Sequence, residues 1–244
     1  MRGKFIDNQR AASFFVYRAN KVDALLFVSY TDNMKSDAFN QMIATAYTMP
    51  KRTVIVYARL LKEAGLLTTG ARGRHAPEMT PMDAARMAIA ILATESPSQC
   101  VERVRRFSQI KYSPNFKKIY RGYDTIQPDH FVHLFKGETL EDVLAYLFGL
   151  PATVGVTESC KWFIQNPFHL RVFDFEVLAE LFQRKMEGQE IIGELVVPFK
   201  GEIFVDGFAV IKGGVRTERS IVGMSFLSIG LGLISDSHNE LEAA

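Results

Sequence analysis

Residues 36–87 read SDAFNQMIATAYTMPKRTVIVYARLLKEAGLLTTGARGRHAPEMTPMDAARM, and the order of helices, stops and turns within them decides the fold. Phe39, Met42, Ile43 and Ala46 recur at the i, i+3, i+4, i+7 spacing of a one-sided helix, with Ser36 and Asp37 placed to cap it. That helix must stop near Thr48, because the residue before Pro50 is pushed out of the helical region. A second helix is predicted from Lys51 to Ala64, with Val54, Tyr57, Ala58 and Leu61 on one face and Gly65 as its stop. Residues 66–69 read as a short strand, and residues 70–74, Gly-Ala-Arg-Gly-Arg, as a flexible basic turn. Thr80, Pro81 and Asp83 give the start signal of a third helix: a cap, a proline at the first helical position and an acid three residues after the cap. Residues 96–99 repeat that grammar and launch a fourth helix to about Phe107.

Helix, short turn, helix, glycine stop and basic turn is the order of a helix-turn-helix with a wing. Its second helix must be apolar behind, to stay in the domain, and must present donors in front, to enter a major groove about 12 Å wide. The front of the second helix carries Lys51, Arg52, Thr53, Val56, Arg59 and Lys62. Arginine reads guanine edges with two bonds, and Thr and Val contact thymine methyls. Arg72 and Arg74 in the turn are placed to reach phosphates or a narrow minor groove. His75 beside them joins them or is an ordinary loop histidine. From Lys51 to Arg74 there are six cations against one acid, Glu63, in a chain whose net charge is only +2, so the positive charge is local. The run LLKEAGL at residues 60–66, followed by the basic turn, resembles winged-helix transcriptional regulators. The wider stretch of residues 53–87 resembles DNA-binding proteins of phages and prophages. That resemblance, about a third of the chain, implies duplex DNA as the partner and regulation of transcription as the role.

The rest of the chain has other textures. Residues 1–33 read either as an extension preceding Met34 or as an ordinary helix or hairpin packed on the body. The arginines 103, 105 and 106 read as the solvated side of the fourth helix, with Val101, Val104 and Phe107 inward, or as an extension of the DNA surface. Residues 111–127, rich in Tyr, Lys, Asn, Pro and Gly, read as a linker. Beyond it, a helix from about Glu138 to Pro151, a helical candidate at 175–186, and strand-like runs at 191–199, 202–211 and 217–226 are expected, with 227–234 extending the last. The fold class is therefore α+β: a mainly helical winged helix-turn-helix over 34–110, a linker over 111–127, an α+β dimerisation or partner-binding domain over 128–235, and a frayed tail over 236–244.

Composition narrows the functional classes. With 48% hydrophobic and 23% charged residues, the 244-residue chain can bury a core. The longest uncharged apolar run, residues 221–235, falls short of the roughly 20 residues a bilayer span needs, so no membrane partner is expected. Cys100 and Cys160 stand far apart with no metal-ligand spacing, which fits buried thiols in a cytoplasmic protein. No nucleophile elbow, phosphate loop, dinucleotide fingerprint or HExxH is present. His130 and His133, with Asp129 nearby, lack a third well-spaced ligand. Asp124, Asp129 and Glu138 have no fixed mutual geometry. The expectation is a DNA-binding regulator that is a homodimer and not an enzyme, with no cofactor and no metal. A DNA-binding adaptor in phage packaging or replication is the first alternative, and an enzyme with its site in the C-terminal half is the second.

Overall fold

The computed structural model describes residues 34–71, 75–113, 138–165, 167–173, 177–187, 190–201 and 218–234. Helix α1 (Ser36–Ala46) buries Phe39, Met42 and Ile43, as its apolar stripe requires. Its capping differs from the expectation. The N-cap is Lys35, which makes no side-chain cap, and Asp37 stands in the first turn, where its charge faces the positive end of the helix. The chain then reverses within four residues, and Thr48 takes a positive φ of 52° to do so. Helix α2 (Lys51–Glu63) follows at once, with Val54, Tyr57, Ala58 and Leu61 all at most 3% exposed. Gly65 ends it at φ 72°, a conformation that costs glycine little.

Residues 66–69 do not form the expected strand. The Thr68 N–H donates to Asp83 Oδ1 at 2.7 Å, so a side-chain carboxylate takes the bond that a neighbouring strand would have taken. Helix α3 (Pro81–Leu92) starts on the full Thr80–Asp83 capping box. A 3₁₀ turn (Pro97–Gln99) leads into α4 (Cys100–Ser108), in which Val104 and Phe107 are fully buried. Ser96 caps nothing, and its hydroxyl lies 2.9 Å from that of Ser98.

Lys111 and Tyr112 form a short strand, β1, within the expected linker. Helix α5 (Leu140–Val154) opens on a second capping box, Thr139 with Asp142, and runs past Pro151. The proline falls in the last turn, where it removes the i→i−4 bond to the Leu147 carbonyl but leaves the preceding turns intact. Helix α6 (Val156–Gln165) and strand β2 (Phe168–Phe173) were not expected from the sequence. The helical candidate at 175–186 is instead strand β3 (Leu178–Glu187), which pairs with β2 on one side and β4 (Glu190–Lys200) on the other. Hydrogen bonding on both edges outweighs local helical preference there. Strand β5 (Glu218–Val222) stops short of the expected 226, and of residues 227–234, expected to extend it, all but the C-cap Ile234 belong to helix α7 (Gly223–Leu233). The expected strand at 202–211 lies outside the described residues.

The sheet has the order β1-β4-β3-β2-β5 and every pairing is antiparallel, so the chain is α+β. One face of it buries Phe168, Leu170, Val172, Ala179, Leu181 and Ile221. Phe226 of α7 lies 5.2 Å from the ring of Phe168 and stacks on Phe148 of α5 at 4.5 Å, which ties sheet to helices. Helix α3 packs on α5, α5 on α7, and α7 on α1, so helices from both halves of the chain contribute to one continuous core.

Glycines make the seat of α7 possible. A Cβ on Gly230 would lie 2.5 Å from the Phe148 carbonyl oxygen, which is backbone and has no room to yield. Gly230→Ala is therefore expected to lower stability by about 2 kcal/mol, since overpacking outweighs the gain in helix propensity. At Gly232 the obstacle is the flexible side chain of Met42, and alanine should be close to neutral there. Urea denaturation of the two variants checks the contrast.

Candidate nucleic-acid interface

With the inner face of α2 buried, its opposite face is left to solvent. Arg52 and Arg59 are both exposed on it, seven residues and thus about 10.5 Å apart along the axis, so they point the same way. Ile55 sits between them and is 41% exposed, a large apolar side chain facing water. Val56 and Thr53 flank this row, half-buried. Arg52 makes no hydrogen bond or ion pair among the described residues, and Arg59 Nε lies 3.7 Å from Glu63 Oε1, with both side chains over 60% exposed. A pair so wet is worth at most about 0.5 kcal/mol, and a phosphate or base edge displaces it readily.

The two lysines behave differently. Lys51 Nζ lies 3.0 Å from Asp37 Oδ1, and Lys62 Nζ donates to Ser36 Oγ. Eleven residues apart, they share one edge of α2 and turn toward the start of α1. The structure thus separates the six α2 residues expected to face DNA: Arg52 is unpaired among the described residues and Arg59 holds only a wet pair with Glu63, while Lys51 and Lys62 turn toward α1. Ile55 was missed because an apolar residue in a helix is usually assigned to the core. Its position three residues after Arg52 and four before Arg59 was the available signal.

The segment after α2 is held at its base. The Asp83 carboxylate, in a residue 2% exposed, accepts from the N–H and hydroxyl of Thr68 and from the N–H and hydroxyl of Thr80, all at 2.7–2.8 Å. Further out, a Cβ on Gly70 would come within 2.9 Å of Pro77, so the two limbs of the segment touch there. Residues 68–70 and 77–80 are therefore drawn together in one narrow neck. His75 is exposed, and Arg72 and Arg74 lie outside the described residues. On α4, Arg105 and Arg106 are exposed, and Arg106 pairs with Glu102 at 3.5 Å.

Burial pushes the Cys100 and Cys160 thiols up from their ordinary range, which keeps them protonated and poorly nucleophilic. Among the described residues, no three His, Cys, Asp or Glu side chains group so as to hold a metal ion. His130, His133, Asp124 and Asp129 lie outside the described residues, and Glu138 is exposed. Among the described residues no helix is long and apolar enough to cross a membrane. Compared with known proteins, the chain matches no family model, no curated protein and no solved structure.

Proposed function

We propose that this protein binds double-stranded DNA through α2, as the reading helix of a winged helix-turn-helix, and acts as a cytoplasmic, homodimeric transcriptional regulator of phage or prophage type. The observation that carries the reading is the row Arg52, Ile55, Arg59 on the outward face of the second helix of a tight helical pair whose inward face is fully buried. A helix anchored in this way costs little to place in a groove, and the row offers two bidentate donors and one apolar contact for thymine methyls. The narrow-necked segment beside it brings the wing, with Arg72 and Arg74 as its proposed backbone contacts.

Fluorescence-anisotropy titration of the full chain with random-sequence duplex, repeated across salt concentrations, tests the reading. Each phosphate neutralised adds about 0.9 to the slope of log affinity against log salt, so two engaged arginines predict a slope of at least about −2. Absence of binding, or a flat salt dependence, overturns the proposal. Selection from random duplexes then gives the role: a short palindrome identifies a dimeric regulator, and preference for shape alone identifies an adaptor of packaging or replication.

A further inference from the structure

The exit of α2 is held by a side chain that answers to the other half of the protein. Arg86, on α3, donates from Nη1 to the Leu66 carbonyl at 3.0 Å, one residue after the Gly65 stop. The same guanidinium donates from Nε to Glu141 Oε2 at 3.0 Å, and Glu141 belongs to the first turn of α5. The second oxygen of Glu141 accepts from Gln109 Nε2 at 3.3 Å, just past the end of α4. The Arg86 and Glu141 side chains are 27% and 12% exposed, so the pair is largely withdrawn from water and screened less than the surface pairs. The planar fork serves the carboxylate and the carbonyl from separate nitrogens at fixed angles, whereas a lysine would have to reach both from a single ammonium.

We propose that Arg86 is a positioning residue for the DNA-facing helix α2, itself oriented by Glu141 and Gln109, so that the pose of α2 depends on helix α5. Its consequence for DNA rests on the functional reading above, whereas its effect on the exit of α2 does not. Helix α5 packs against α3 and α7, so a displacement arising in the C-terminal half reaches Leu66 through one guanidinium. Asp83, one turn earlier on α3, holds Thr68 and keeps the next part of the segment in register.

The test uses the full chain, with Arg86→Met, Arg86→Lys and Glu141→Gln, studied well below each variant's melting temperature. Amide hydrogen exchange is read over residues 61–68, with residues 84–92 of α3 as the internal control, and affinity for random-sequence duplex is measured in parallel. In Arg86→Met, exchange over 61–68 is expected to quicken about tenfold while the α3 control stays put, with a matching fall in affinity. Arg86→Lys and Glu141→Gln should move the same way by less. Unchanged exchange over 61–68, or equal quickening of the α3 control, overturns the proposal, the latter by showing a residue that merely supports the fold. So does unchanged affinity in a variant that has lost local protection. If the wild type binds no duplex while the local loosening is present, the hold on α2 stands and the DNA reading falls. Should Arg86→Met fail to fold, Glu141→Gln carries the same comparison, because it removes the charge and leaves the shape.

Discussion

Arg52→Ala together with Arg59→Ala is expected to abolish measurable sequence preference and to reduce duplex affinity by the combined loss of two contacts of ~1–3 kcal/mol each. The two residues lie two turns apart on one face and share no partner, so their losses should add. Arg59→Ala alone should loosen preference at one position, and Arg52→Ala at another. Both side chains are exposed, and the Arg59 contact to Glu63 is a wet i,i+4 pair, so thermal stability should hardly change in either variant. That separation of binding from folding is what makes the experiment informative. Lys51→Ala is a useful contrast: its ammonium turns to Asp37, which is 83% exposed, so its loss should cost at most about 0.5 kcal/mol of stability and less affinity than either arginine. The opposite sign is expected at Glu63, the only acid among the residues of α2. Glu63→Gln frees Arg59 and removes a repulsive charge from the row proposed to face DNA, and affinity should rise modestly at low salt. Anisotropy titrations and melting curves on the same preparations check all of these. Equal binding by wild type and the double arginine variant would remove α2 from the interface.

Local grammar explains what could be read in advance. Pro50, Gly65 and the Thr80–Asp83 pair each act on their immediate neighbours through sterics or a short hydrogen bond, so the ends of α1, α2 and α3 follow from a few residues apiece. The buried stripe of α2 follows from its period in the same way. What depended on distant partners was hidden. Strand β3 looks helical on its own, and it is extended because β2 and β4 bond to both its edges. The glycines of residues 223–232 resemble punctuation between strands, yet they serve to bring α7 within contact of Phe168, Phe148 and Met42. Lys51 and Lys62 looked equivalent to Arg52 and Arg59 in a tally of charge. Only the packing of α1 against α2 shows that they face its first turn. Asp83 was read as a capping acid, but a carboxylate has capacity for more donors than a cap supplies, and the rest of that capacity goes to Thr68.

This double duty makes Asp83→Ala the most destabilising polar substitution expected in the helical half. Four donors converge on one carboxylate, and hydrogen bonds to a charged acceptor contribute ~1.5–3 kcal/mol each, although bonds sharing one acceptor do not add fully. The Thr80 groups sit at an exposed cap and regain water when the carboxylate is lost, which limits their share to about 1 kcal/mol, the usual worth of a cap. Thr68 is half-buried, and its N–H has no ladder to return to, so most of the penalty lies there. A loss of about 3–4 kcal/mol is expected from urea denaturation. Asp83→Asn should recover part of it, because the amide keeps one acceptor but turns an N–H toward donors. Thr68→Val should cost only about 1 kcal/mol, since the carboxylate retains its bonds to Thr80 and to the Thr68 N–H. In a double-mutant cycle, Asp83→Ala with Thr68→Val should be less destabilising than the sum of the two, because the second substitution removes a donor that the first had already stranded. Full additivity would mean that Asp83 acts through Thr80 alone, as an ordinary cap, and that the neck between residues 68–70 and 77–80 is closed by something other than its carboxylate.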